Sequence, residues 1–206
     1  MSSALRALLV AAVAVWVPLR SSAQTQVWAA STLKLSPHRR FDLATSLEQR
    51  WRSGQFQHFA DLRGTIDASR NWKAFYEFRA PLNANVRPRH TLALEKKFKP
   101  EFKDVRIADV TLGLRYHVNR AATVRYGLYL ERKFGKWVPE ATAEVWHEQF
   151  NPRSPLRRTR YTLGMNYFLT KKWRATIGYG LQRDYDSGEV LEEAFPMLRL
   201  GLRYAP

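Results

Sequence analysis

Few residues in this chain have the types and spacing that chemistry needs. There are five histidines, His38, His58, His90, His117 and His147, and no cysteine. The lack of cysteine excludes disulfide scaffolds, thiolate metal sites and thiol nucleophiles. A hydroxyl nucleophile needs a base within hydrogen-bond reach and an acid that orients the base. The serines beyond residue 23 are few and lie mostly in turn-like segments: Ser36, Ser53, Ser69, Ser154 and Ser187. Ser46 and His117 have the right alternation to share a polar strand face, but no spacing brings them together. Glu140, Glu144 and Glu148 also fall on one strand face. Such carboxylates can do acid–base work or bind Ca²⁺. Here, with many arginines at equivalent positions, ion pairing is the simpler role. His147-Glu148 lacks the second, helix-borne histidine of a zinc site. The chain is therefore not read as an enzyme, and it is assigned no catalytic residue, cofactor or metal.

The elements that would carry these residues are strands. From Thr159, apolar and aromatic residues occupy alternate positions (Tyr161, Leu163, Met165, Tyr167, Leu169), with Arg158, Arg160, Thr162, Gly164 and Asn166 between them. After Thr170-Lys171-Lys172 the alternation resumes through Trp173, Ala175, Ile177, Tyr179 and Leu181. A period of two marks a strand with one apolar and one polar face. The pattern recurs at Val110–Val118, Val124–Leu130 and Leu198–Tyr204. Shorter versions lie near Phe41–Leu47, Leu62–Ile66, Trp72–Phe78 and Leu92–Leu94, and the weakest are Val27–Leu35 and Ala141–Val145. That makes about eleven segments of the length a tilted strand needs to cross a bilayer. Turns are expected at Ser36-Pro37, Ser69–Asn71, Asn119-Arg120 and Gly135-Lys136. Longer polar links are expected at Pro81–Pro88, Asn151–Arg157 and Asp186–Ala194. The fold class this predicts is all-β: a single antiparallel up-and-down transmembrane β-barrel of about 10–12 strands. Antiparallel closure favours an even count, ten or twelve.

The 206 residues suit one such domain. Arg6, the apolar run Ala7–Val17 and the small residues Ser21 and Ala23 predict a secretory signal peptide over residues 1–23 and a barrel over 24–206. Its apolar run is too short to span a bilayer as a helix. Aromatic residues make up 13% of the chain, too many for a disordered polymer. The 34 Lys and Arg against 18 Asp and Glu leave +16, which points to nucleic acid, anionic membranes or acidic ligands. Export argues against nucleic acid and lowers the mature charge to +14.

The polar face decides which way such a barrel is turned. It pairs bulky ions with small residues, as in Asp109, Thr111, Gly113 and Arg115, or Arg125, Gly127, Tyr129 and Glu131. Small residues make room for long opposing side chains in a narrow lumen, whereas on a solvated surface glycine only weakens a strand. The apolar face ends in aromatics such as Trp72, Phe78, Trp173 and Tyr204, as interfacial girdles do. Facing the polar side inward places 12 acids and 16 bases in the lumen, an excess of four, with Arg40, Lys133 and Lys172 among the bases. The remaining +10 falls on rims, loops and strand ends. The runs Lys96-Lys97, Arg157-Arg158 and Lys171-Lys172 read as interfacial anchors. An almost balanced lumen implies interlocked ion pairs, and basic rims imply contact with outer-membrane lipids and lipopolysaccharide.

Several segments resemble domain-of-unknown-function family 2490, bacterial outer-membrane barrels. They are Gln26-Val27-Trp28, Leu47-Glu48-Gln49-Arg50, Gln57-His58-Phe59, Arg89-His90-Thr91-Leu92, and the hairpin from Arg160-Tyr161-Thr162-Leu163-Gly164-Met165-Asn166-Tyr167 to Tyr179. The resemblance implies an outer-membrane barrel of a Gram-negative bacterium and no known activity. Arg199, Gly201 and Tyr204 resemble the carboxy-terminal signal read by the barrel-assembly machinery, although the chain ends Ala205-Pro206 in place of a final aromatic. The functional expectation is a structural or narrow channel-type barrel, in its sharper form a pore for small anionic solutes. A lipid-modifying enzyme and a soluble periplasmic binding barrel are the alternatives.

Overall fold

The computed structural model describes residues 25–52, 54–83, 86–102, 105–106, 109–118, 122–148, 156–185 and 191–206. The expected signal peptide lies outside them. The strands are β1 (Gln26–His38), β2 (Phe41–Arg52), β3 (Gln55–Asp67), β4 (Trp72–Pro81), β5 (Arg89–Phe98), β6 (Glu101–Phe102), β7 (Val105–Arg106), β8 (Asp109–Val118), β9 (Thr123–Glu131), β10 (Trp137–Glu148), β11 (Leu156–Phe168), β12 (Trp173–Tyr185) and β13 (Leu191–Tyr204). Eleven of them close a barrel in sequence order; β6 and β7 pair only with each other, in the link from β5 to β8.

All eleven barrel strands coincide with segments that alternate in sequence, but the even count favoured by antiparallel closure does not hold. In an up-and-down series of eleven, the last strand runs the same way as the first. The seam is accordingly parallel, with Gln26 opposite Met197 through to Leu33 opposite Tyr204. The chain thus enters at one rim and leaves at the other, here termed the N-terminal and C-terminal rims. The three expected long links all join strands at the N-terminal rim. Two expectations of detail fail. Ser36-Pro37 lies inside β1, where the register with β2 shifts between Leu35 and His38, and the chain reverses at 39–40. Arg40, Lys133 and Lys172 fall in turns and do not point into the lumen. The turn at 132–136 is tight, closed by reciprocal Phe134 and Trp137 backbone hydrogen bonds of 2.7 and 2.9 Å. Gly135 takes the left-handed conformation it requires (φ 58°).

The barrel is turned inside out relative to a soluble one. Leu163 is 69% exposed and Tyr179 62%, whereas Glu77 and Glu144 are each 6% exposed. A continuous exposed apolar wall of this extent is what lipid requires, and strand ladders closed on themselves leave no unpaired backbone edge in that wall. Aromatics mark both rims. At the N-terminal rim Trp51 lies against Phe56, with ring centroids 6.4 Å apart. At the C-terminal rim, Trp137 packs on Tyr167 (ring centroids 4.4 Å apart) and Trp173 on Tyr204 (4.8 Å). Lys96 lies 5.0 Å from the rings of both Trp72 and Phe98.

Candidate functional site: the barrel lumen

The strand register sets the lumen chemistry. Opposite charges face each other across neighbouring strands at Asp61–Arg79, Arg63–Glu77, Glu144–Arg160 and Arg158–Asp184. Arg79 donates from Nε to Asp61 at 2.7 Å and from Nη2 to Glu48 at 3.0 Å, linking β4, β3 and β2. Glu48 also accepts from Arg50, and Glu77 from Arg63. Across the barrel, Glu144 accepts from Tyr129 Oη at 2.7 Å and lies 3.4 Å from Arg125 and 3.5 Å from Arg160. Each buried charge therefore has a partner, as burial demands.

Aromatic rings bind these two charged groups together. Arg50 lies 4.0 Å from the Trp28 ring centroid and 5.1 Å from that of Phe59; Arg160 lies 4.5 Å from Trp28 and 4.7 Å from Trp146. Arg79 caps the series on Phe59 and Arg125 on Trp146. The series runs from β4 to β1, crosses to β11 and ends on β9. It forms a layer of alternating guanidinium and ring that narrows the lumen. Cation–π contacts of this kind contribute roughly 0.5–2 kcal/mol each, more as they are desolvated. Nearer the N-terminal rim, the inward-facing Phe195, Met197, Gln182, Gln26, Thr91 and His117 are all buried. Toward the C-terminal rim the lumen widens into a cavity of about 690 Å³. Thirteen cationic and seven acidic side chains line it, an excess of six positive charges within the cavity itself.

The sequence candidates are placed as follows. Ser46 faces the lumen, with its hydroxyl 3.4 Å from Asp61 Oδ2. His117 faces inward on β8 and shares a 2.8 Å hydrogen bond between Nδ1 and Thr91 Oγ1. Each is thus held by its own neighbour, and the two do not form a dyad. His90 points outward, with Nδ1 2.6 Å from Tyr76 Oη. His147 points outward against Tyr126. His58 stacks on Phe56. His38 lies exposed at the end of β1. Glu140, Glu144 and Glu148 all pair with arginine: Glu140 with Arg174 and Arg199, and Glu148 with Arg157. Among the described residues no group of three or more His, Asp or Glu is disposed to hold a metal.

Apart from Tyr129, which its polar face already placed inward, the lumen aromatics escaped sequence reasoning, which put the others on the outer wall. Their signal was parity. Trp28, Phe59, Phe75 and Trp146 share the alternation of Thr32, Asp61, Glu77 and Glu144, so they belong to the polar face. Lys34 shares the same parity on β1 and also faces inward, where it pairs with Asp42 at 2.5 Å.

Comparison with known proteins identifies the architecture alone. The NanC porin, solved in a rhombohedral crystal form, superposes with a TM-score of 0.57 over 87% of this chain and 97% of its own. The two sequences are 9% identical, so the likeness is one of fold. No family model matches the sequence, and no curated protein does.

Proposed function

We propose that the protein is a narrow, anion-preferring channel of the Gram-negative outer membrane. One observation carries this reading: a cavity of about 690 Å³ with six excess positive charges sits inside a barrel whose outer wall is apolar. A cation-rich, low-dielectric passage concentrates anions and repels cations. The porin-like fold supports a channel-type protein, and the exposed apolar wall speaks against a soluble periplasmic barrel. The arginine–aromatic layer would make the passage narrow and its conductance small.

The outer-membrane assignment rests on the same wall and on its aromatic rims, with Lys96 seated at the height of lipid head groups. Contact of the basic rims with lipopolysaccharide, recognition of the C-terminal strand by the barrel-assembly machinery, and membership of family 2490 belong to this reading. One feature favours the last. Several residues that carry the resemblance, among them Trp28, Glu48, Arg50, Phe59 and Arg160, face the lumen and meet in its charged layer.

Planar-bilayer recording in a salt gradient tests the function. The expected result is small discrete current steps whose reversal potential lies toward that of the anion. Silence at all voltages, or cation selectivity, would overturn it.

A further inference from the structure

Like charges placed directly opposite each other on neighbouring strands destabilise a sheet. The lumen has three such arginine pairs: Arg79 with Arg89, Arg115 with Arg125, and Arg174 with Arg203. In the first two, every guanidinium has a carboxylate. Arg79 has Asp61 at 2.7 Å, Arg89 has Glu77 at 3.6 Å, Arg115 has Glu95 at 2.8 Å and Arg125 has Glu144 at 3.4 Å.

The third pair differs. Arg174 reaches only Glu140, at 3.8 Å, and Arg199 shares the same carboxylate at 3.7 Å. Glu140 is engaged more closely by Asn166 Nδ2, at 2.6 Å. Among the described residues Arg203 has no carboxylate within ion-pairing distance. Two guanidiniums thus share one acid that an amide already engages, and the third has none in reach. Between them the wall is shallow: Thr176 stands opposite Gly201, which presents no side chain. All three arginines line the cavity, and Arg174 and Arg203 sit near the strand ends at the C-terminal rim.

We propose that Arg174, Arg199 and Arg203 form a binding site for an oxyanion, the carboxylate or phosphate group of a water-soluble solute. Guanidinium forks match such groups bidentately, and an incoming oxyanion would supply the charge that the first two arginine pairs draw from the protein. The site rests on the anion-channel reading and states where in the lumen the anion pauses. The outward positions of the same strands, Ile177, Leu200 and Leu202, are apolar, so the arginines address the aqueous side of the wall.

Calorimetric titration of the full-length protein in detergent micelles with pyrophosphate tests the site independently of conduction. The comparison is between Arg203→Gln and Lys73→Gln. Lys73 lines the same cavity, pairs with Asp67 at 3.2 Å and removes the same unit of charge. Arg203→Gln is expected to weaken binding about tenfold or more, the loss of a charge-assisted hydrogen bond. Lys73→Gln is expected to weaken it less than about threefold, since screened charge at a distance contributes little. Arg203→Gln should also unfold at higher denaturant, because it relieves the opposed arginine pair. Equal weakening by both variants, or no binding at millimolar pyrophosphate, would overturn the proposal. Displacement of pyrophosphate by anionic phospholipid vesicles would overturn its assignment to a soluble solute. Binding without bilayer current would sink the channel reading and leave the site; current without binding would do the reverse.

Discussion

Replacing Leu163 by arginine separates a membrane barrel from any soluble one. Leu163 is 69% exposed on the outer wall of β11, opposite Ala141 and Tyr179 on its two neighbours. Its depth follows from the strand. Tyr167, four residues on, packs on Trp137 in the C-terminal aromatic girdle. At a rise of about 3.4 Å per residue and a tilt of about 40°, Leu163 lies about 10 Å below that girdle. The apolar band of such barrels is about 25 Å tall, so this position is within a few ångströms of the midplane. Arginine there costs about 2–4 kcal/mol, falling to about 0–1 kcal/mol at the girdle. The assay is denaturant unfolding from phospholipid vesicles, comparing wild type, Leu163→Arg and Tyr167→Arg. A large loss is expected for the first variant and a small one for the second. On a water-facing surface the order would reverse, because Tyr167 gives up a ring contact and Leu163 gives up nothing. Equal stability of Leu163→Arg and wild type in vesicles would refute the inside-out arrangement.

Two predictions concern the lumen. Glu144→Gln keeps the volume of the side chain but leaves Arg125 and Arg160 without their shared charge. Breaking one partner of a buried ion pair costs about 3–5 kcal/mol, and adding Arg160→Gln should recover part of it; a double-mutant cycle with no coupling would contradict the ion-pair assignment. Gly127 lies beneath the Tyr129 ring, which any Cβ at that position would strike. Gly127→Val should therefore destabilise by about 1–3 kcal/mol through overpacking, and Tyr129→Ser should relieve most of it; a neutral single variant in thermal unfolding would count against the packing described.

Much of the fold is legible in the sequence because one rule, alternation, governs every strand. The Arg158–Leu169 and Trp173–Leu181 segments show it without interruption, and even Ala141–Val145 keeps it, with alanines in place of the bulkier residues that make the pattern conspicuous elsewhere. What alternation cannot carry is closure. The parallel seam between Trp28 and Arg199 depends on the global strand count, and no local residue announces it. Ser36-Pro37 misleads for a different reason: a shift in register lets a strand pass through a turn-like dipeptide. The candidate site divides in the same way. Which charges point inward follows from parity, so Glu48, Glu77, Glu144 and their arginine partners were accessible. Which arginine lacks an acid follows from register across β12 and β13, and so needs the three-dimensional pairing of Arg174 with Arg203. The rings of Trp28 and Trp146 were hidden by their chemistry, since an aromatic residue reads as lipid-facing until its parity is checked.

An aqueous, cationic lumen inside a lipid-facing wall can be probed residue by residue. Because the chain has no cysteine, single cysteines report cleanly on it. Thr32 lines the cavity, and Leu163 faces outward. With the protein in vesicles, Thr32→Cys should react faster with a sulfonate-bearing methanethiosulfonate than with its trimethylammonium counterpart of similar size. Leu163→Cys should resist both and react with a membrane-soluble maleimide. Faster reaction of Thr32→Cys with the cationic reagent, or ready labelling of Leu163→Cys by either charged one, would contradict the account.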